Sequence, residues 1–314
     1  MSFSGDVKEE LLSVNGNGRH CQIAELAAYF SYCGFVKKSN SGHMVIGITT
    51  ENKAIATKCF TLIKKTFNIY SGILIRKHSF SSKILSYEIQ IEKPDEIKEV
   101  LMAIKKYKES EEPVLCSCVD KLLLKKDCCR RAFIRGTYLA IGSMSNPEKG
   151  YHMEFVFDHE DMAEEFIQIL KTFSIGAKMV LRKKNYVVYI KDGEEIVDML
   201  NITGAHISLM NLENTRIMKD MRNSINRRVN CETANIAKTV NAATKQVEDI
   251  MLIQKLYGLH RLPDNLRQVA EVRLAYPEAS LVELSQLMDP PVGKSGVNHR
   301  LRKLSELAER LRVN

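Results

Sequence analysis

Over residues 21–204 the spacing of apolar positions switches between helical and strand periods in the same order twice. An apolar run rich in small residues around 22–33 predicts a helix. Residues 43–50 alternate in the manner of a half-buried strand. Ile55, Cys59, Leu62, Ile63 and Phe67 then recur at the spacings of one helical face. Two further strands and a closing helix complete the unit. A second copy starts with a helix around 129–141 and a strand at 151–157. Each copy therefore reads α-β-α-β-β-α.

The copies are related residue by residue. Leu-Ile-Lys-Lys-Thr-Phe-Asn-Ile at 62–69 aligns with Gln-Ile-Leu-Lys-Thr-Phe-Ser-Ile at 168–175, an offset of 106 that also carries Arg76-Lys77 onto Arg182-Lys183. From Tyr87, which falls on Tyr186, the offset is 99, and it holds from 96–101 onto 195–200. The drop of seven predicts a longer turn in the first hairpin, through 78–86. A register held across three segments marks a duplication, and two such units predict a pseudo-twofold α+β body with antiparallel sheets.

After Gly204 the pattern is helical throughout. An Asn- and Arg-rich stretch, 222–235, leads into an amphipathic run to about 253. A trihelical pattern follows. Its first helix starts near Pro263-Asp264 and stops before Pro277. Ser280 and Glu283 have the spacing of a capping box at the start of the second. Residues 289–293, Asp-Pro-Pro-Val-Gly, form a turn. The last helix is expected to start near Ser295 as its N-cap. There Val297, Leu301, Leu304, Ala308 and Leu311 form the buried stripe, and Ser295, Asn298, His299, Arg302 and Lys303 face away from it. Arg300 lies at the stripe's edge. The chain thus divides into an N-terminal helical arm (1–20), a duplicated body (21–204, repeats about 21–106 and 127–204), a helical linker (205–257) and a helix-turn-helix domain (258–314, motif about 280–312).

Composition narrows the chemistry. Hydrophobic residues make up 45% and charged residues 27%, enough for real cores. No run approaches the roughly 20 apolar residues of a membrane helix. The start lacks a basic segment followed by an apolar one, so a cytoplasmic protein is expected. A net charge of +8 suits a polyanionic partner. Eight cysteines without an export signal argue against disulfides. Cys116, Cys118, Cys128 and Cys129 are candidate zinc ligands, but their spacing departs from the usual C-x(2–4)-C pairs. Thiols without metal are expected, and no cofactor is implied.

The leading helices carry a resemblance. Leu-Ala-Ala-Tyr-Phe-Ser-Tyr-Cys-Gly at 26–34 and Ile-Arg-Gly-Thr-Tyr-Leu-Ala-Ile-Gly at 134–142, offset by 108, resemble the LAGLIDADG signature of homing endonucleases. The resemblance implies that the two helices pack against each other through small residues. Gly136 and Ala140 share one face for such an approach, with Ala28 opposite; Tyr32 is bulky for the role. In that family an acidic residue at the eighth position of each signature holds a divalent cation. Here those positions are Cys33 and Ile141, and the sixth positions are Ser31 and Leu139. No carboxylate is offered, so no catalytic residue and no enzymatic activity are expected. The resemblance also turns the strand ends bearing Arg76, Lys77, Arg182, Lys183 and Lys184 toward a duplex, with solvated hairpin turns as the alternative. Glu88 and Glu154 interrupt that face.

Nearly the whole chain resembles the WhiA family of bacterial regulators. Its most specific segments are Arg-Asn-Ser-Ile-Asn-Arg at 222–227, Asn-Cys-Glu-Thr-Ala-Asn at 230–235 and Lys-Ser-Gly-Val-Asn-His-Arg-Leu-Arg-Lys at 294–303. The resemblance implies a double-stranded DNA partner and a nucleoid-associated role in bacterial cell division and chromosome segregation. In sporulating actinobacteria it implies transcriptional regulation. The residues expected to bind DNA are Lys294, Ser295, Asn298, His299, Arg300, Arg302 and Lys303. Arg222, Arg227 and Arg228 join the strand-end cations as backbone contacts. The alternative is an interaction scaffold for a division or regulatory protein.

Overall fold

The computed structural model describes residues 2–16, 18–39, 42–77, 85–109 and 112–313. They form two compact units that divide between Met218 and Lys219.

The first unit opens with α1 (Phe3–Ser13), whose N-cap Ser2 accepts from the Gly5 amide at 3.2 Å. The segment expected to be an arm belongs to the body, because Val7 and Leu11 of α1 are wholly buried in its core. The first repeat follows as α2 (Arg19–Cys33), β1 (Gly34–Lys38), β2 (Met44–Thr50), α3 (Lys53–Phe67), β3 (Ile73–Lys77), β4 (Leu85–Ile91) and α4 (Pro94–Ala103). The second runs α5 (Asp127–Ile141), β5 (Gly142–Met144), β6 (Met153–Phe157), α6 (Glu160–Lys171), β7 (Lys178–Arg182), β8 (Asn185–Ile190) and α7 (Gly193–Thr203).

Each repeat thus holds one strand more than its periodicity announces. β1 and β5 leave the ends of α2 and α5 with no turn residues between, and three to five residues are too few to display a period of two. Gly34 makes the abrupt exit feasible: a Cβ there would lie 2.1 Å from the Phe30 carbonyl oxygen. The strands form two four-stranded antiparallel sheets, ordered β1-β2-β4-β3 and β5-β6-β8-β7. Their registers reproduce the two offsets, since Ile75 faces Tyr87 while Leu181 faces Tyr186. The second hairpin turns on Lys183 and Lys184, with Lys183 left-handed at φ 58°. The longer first turn falls largely on residues 78–84, outside the described residues.

One face of each sheet packs on helices. Ile46, Ile48, Ile89 and Ile91 meet the α3 stripe of Ile55, Cys59, Leu62, Ile63 and Phe67, and all are buried. Phe155 stacks on Phe166 with centroids 4.7 Å apart in the second repeat.

The repeats meet where α2 crosses α5. A Cβ added to Gly136 would lie 2.8 Å from the Glu25 carbonyl oxygen and 2.9 Å from the Ala28 Cβ, so only glycine fits. Tyr32 stays off this contact, stacking edge-on against Phe157 at 5.5 Å. Beside the crossing, the buried Glu25 carboxylate pairs with Arg135 at 2.8 Å and with Lys58 at 3.0 Å. Lys58 also donates to the carbonyls of Leu11 and Val14, both at 2.7 Å, and Arg135 to that of Thr203 at 3.4 Å. One carboxylate therefore ties α1, α2, α3, α5 and α7. Burial lowers the Lys58 ammonium below its ordinary range, opposed by the facing Glu25 charge.

α8 (His206–Leu256) begins in this unit, where Glu10 caps it: the Ile207 and Ser208 amides donate to its carboxylate at 2.7 and 2.9 Å. It is one continuous helix over nearly the whole of the expected linker. In the second unit its far end supplies Ile250 and Ile253 to a core shared with α9 (Asp264–Ala275), α10 (Leu281–Leu287) and α11 (Lys294–Val313). No helix among the described residues is long and apolar enough to cross a membrane.

Gly136→Ala should destabilise the chain by about 1–3 kcal/mol despite alanine's better helix propensity, because the added methyl meets a backbone oxygen. Gly150→Ala, where a Cβ would meet nothing within 4 Å, should stay within about 0.5 kcal/mol. Denaturant unfolding of the two variants checks the difference. Glu25→Ala leaves two buried cations facing each other and should cost about 3–5 kcal/mol, read in the same way.

Candidate nucleic-acid interface

In the second unit α10 starts with the capping box: the Glu283 amide donates to Ser280 Oγ at 3.3 Å and the Ser280 amide to Glu283 Oε2 at 2.7 Å. Arg273 on α9 is buried and donates to the Ala279 carbonyl at 2.6 Å, pinning the turn into α10. Six residues join α10 to α11, and Gln268 donates to the Asp289 carbonyl within that turn.

The capping position of α11 lies two residues earlier than its sequence suggests. The Val297 amide donates to the Gly293 carbonyl at 3.1 Å, so Gly293 is the capping position and Ser295 lies inside the first turn. Serine is the stronger capping type, but the Gly293 carbonyl already accepts from the Gly296 and Val297 amides, so the helix is under way before Ser295. Val297, Leu301, Leu304 and Ala308 are buried and Leu311 packs against them.

The opposite face is exposed. Lys294, Ser295, Asn298, His299, Arg302 and Lys303 are all open to solvent, while Arg300 is half-buried at the edge of the stripe. Residues 294–305 carry two lysines, two arginines and no acidic residue. At about 100° per residue, Ser295, His299 and Arg302 share the centre of this face. Lys303 turns aside, lining a cleft of about 320 Å³ with Tyr257, Arg261, Leu266 and Arg310. Arg261 and Arg310 thus add cations that the sequence stripe gave no reason to group with Lys303. Arg302 pairs with Glu306 at 3.2 Å, both side chains exposed. Such a pair holds roughly 1 kcal/mol or less and exchanges readily for another anion.

The remaining basic candidates are scattered. Arg76 pairs with Glu88 at 2.8 Å, Lys37 holds the same carboxylate at 3.0 Å, and in the second repeat Arg182 reaches Glu154 at 3.5 Å. Burial resists ionisation of Glu88, yet hydrogen bonds from Lys37 and Gln90 and the Lys37 and Arg76 charges hold its carboxyl below the ordinary value. Each outer sheet face therefore neutralises its own arginine. Lys77 ends β3 opposite Leu85, and Lys183 and Lys184 are exposed in the second turn. Arg222, Arg227 and Arg228 lie on a stretch of α8, 220–242, that is exposed all round. Helical phase spreads the three around the helix, roughly 100–140° apart, and Arg228 pairs with Glu232 at 3.0 Å. They form no single patch.

The lower ends of α2 and α5 do not fit the divalent cation of the nuclease resemblance. Cys33 is half-buried, its thiol pushed up to about 11 by burial, with the Cys116 thiol adding and Lys8 opposing. Ile141 offers only hydrocarbon, and Ser31 and Leu139 are buried. A hard cation needs oxygen ligands. Of the candidate zinc thiols, Cys116 approaches the Gly34 carbonyl at 3.6 Å and Cys118 the Asp161 carboxylate at 3.6 Å, away from Cys128 and Cys129. The latter pair meets His20 and Cys21 instead. The offset of 108 between the leading helices, applied five and six residues upstream of the signature, would have found this.

A duplicated LAGLIDADG-like α+β body followed by a helix-turn-helix is the class these elements define. Sequence models agree: WhiA N-terminal LAGLIDADG-like domain matches 19–105, WhiA LAGLIDADG-like domain 130–222 and WhiA C-terminal HTH domain 225–308. The chain is 49% identical to a "Probable cell division protein WhiA" of Lachnoclostridium phytofermentans, covering 99% of this chain and 100% of that one. It is 48% identical to its counterpart in Clostridium novyi, covering 99% of each. It also matches the crystal structure of full-length DUF199/WhiA from Thermotoga maritima at 26% identity, with a TM-score of 0.60 and 99% of each chain covered. The chain belongs to the WhiA family.

Ser280→Ala should destabilise the second unit by about 1 kcal/mol. Hydrogen bonds from the Ser280 backbone and hydroxyl hold the Glu283 carboxyl below its ordinary 4.5. On acidification the unfolded chain takes up this proton first. The capping contribution is therefore full above about 4.5 and fades as pH falls through the lower folded value. Urea unfolding at pH 7 and at pH 3 should show Glu283→Gln differing from wild type more at the higher pH.

Proposed function

We propose that this chain is a sequence-directed binder of double-stranded DNA that acts in bacterial cell division and chromosome segregation, in part by regulating transcription. The carrying observation is the exposed, acid-free cationic face over the first turns of α11, the third helix of a helix-turn-helix. In that geometry the N-terminal turns of the last helix enter the major groove. Arg302 is the base reader, since a guanidinium can bond two acceptors of a guanine edge. Ser295, Asn298 and His299 supply further hydrogen bonds. Lys294 and the first-turn amides hold a backbone phosphate. Arg300 and Lys303 flank the groove and contact phosphates. The family's designation as cell division proteins supports the cellular role, and DNA binding would have the protein act in the cytoplasm at the nucleoid.

The nuclease-like body serves as a scaffold without chemistry, because neither signature helix ends in a cation ligand. Lys183 and Lys184, exposed in its second hairpin turn, and Arg222, Arg227 and Arg228 along α8 add non-specific backbone contacts. One observation favours a second reading, a scaffold for a division or regulatory protein. Met221, Ile225, Val229, Ile236 and Val240 of α8 are all more than half exposed on one strip of the helix.

Titration of full-length protein on genomic fragments across salt distinguishes the two. Arg302→Ala should cost about 1–3 kcal/mol on preferred fragments and relax their preference over others. Lys294→Ala should weaken all fragments alike and reduce the salt slope by about 1. Equal affinity of the Arg302 variant and wild type on preferred fragments removes the recognition face and leaves the scaffold reading. Supercoiled plasmid incubated with protein and Mg²⁺ should stay uncut.

A further inference from the structure

The offset of 108 that superposes the two signature helices carries His20 onto Cys128 and Cys21 onto Cys129. All four residues occupy the first turns of their helices, α2 from Arg19 and α5 from Asp127. Because the helices cross as a pseudo-twofold pair, the two doublets converge. One ligand-type atom from each residue lies within 4.8 Å of every other. His20 Nδ1 is 3.2 Å from Cys21 Sγ and 3.3 Å from Cys129 Sγ. Cys21 and Cys129 are buried; His20 and Cys128 are exposed. All are free thiols or imidazole.

We propose that these four residues form a structural Zn²⁺ site on the pseudo-twofold axis, at the ends of α2 and α5 opposite the degenerate nuclease corner. Three thiolates and one imidazole are a standard donor set for closed tetrahedral zinc. With Zn–S near 2.3 Å and Zn–N near 2.0 Å, ligand atoms stand roughly 3.5–3.8 Å apart. Drawing the cluster in by about 1 Å at its widest meets that spacing. Soft sulfur and borderline nitrogen donors select zinc over magnesium. Four protein ligands leave no position for a substrate, so the ion is structural. Binding releases the three thiol protons. The ligands sit in the first turns of two helices, whose positive dipole ends stabilise thiolates there. The ion links residues 108 apart in sequence and locks the upper end of the seam that Gly136 and Ala28 close in the middle. The site is independent of the DNA-binding reading.

Metal analysis of full-length protein, purified under reducing conditions without added metal, tests it. About one zinc per chain is expected. Replacement by Co²⁺ should give thiolate-to-cobalt charge-transfer and tetrahedral d–d absorption. Loss of an outer-shell partner alone costs a zinc site about 10–100-fold in affinity. His20→Ala and Cys128→Ser, on exposed positions that leave the core intact, should therefore cost at least that much. Cys21→Ser and Cys129→Ser should abolish binding, whereas Cys116→Ser with Cys118→Ser should retain full zinc. A chelator should lower the melting midpoint of wild type by about 5 °C or more and leave the His20→Ala, Cys128→Ser double variant unmoved. The proposal is overturned by protein that takes up neither Zn²⁺ nor Co²⁺, by zinc content indifferent to the His20 and Cys128 substitutions, or by a disulfide among these cysteines in protein prepared anaerobically.

Discussion

The first unit depends on how closely α2 and α5 approach. At their crossing a glycine faces an alanine and a peptide oxygen with no room for another carbon. Close approach brings the side chains flanking the crossing into a dry interior, and one of them is Glu25. A buried carboxylate is tolerable only when paired and hydrogen-bonded. Arg135 comes from the facing helix and Lys58 from α3, and both spend their remaining donors on carbonyls of α1 and α7. The crossing therefore sets the positions of five helices. The sheets, which hang on the outer sides of these helices, inherit their placement.

This dependence explains why the body keeps the LAGLIDADG-like fold without carboxylates at the ends of its signature helices. The acidic positions of the signature sit at the helix ends, outside the crossing. Replacing them with Cys33 and Ile141 removes cation ligands and disturbs no packing contact at Gly136 or Glu25. Each outer sheet face then balances its arginine against its own carboxylate, Arg76 with Glu88 and Arg182 with Glu154. Over 294–305, α11 instead carries two lysines, two arginines and no acidic residue. There the apolar stripe is needed for the core, and everything a quarter turn or more away is left to solvent.

The face of α11 was legible because a helix projects its sequence onto its surface by a fixed rotation. Once the buried stripe is known, the exposed residues follow. Arg261 and Arg310, which share a cleft with Lys303, were not legible, because they come from other segments. The Cys-His cluster shows the same limit. His20-Cys21 and Cys128-Cys129 are adjacent doublets, unlike the spaced pairs that a metal site on a single loop requires. They become a four-atom cage only when a pseudo-twofold crossing brings two helix starts together.

By itself the sequence determined the duplication, the α+β class, the helix-turn-helix with its capping box and buried stripe, and the absence of carboxylates from the signature ends. Each is a local pattern or a comparison of the chain with itself. Only the tertiary structure decided that α1 belongs to the core, that short strands follow both signature helices, and that Gly293 rather than Ser295 caps α11. It also decided which arginines are already paired. These outcomes turn on close packing and on charges brought together across long sequence separations. Periodicity along the chain carries no record of either.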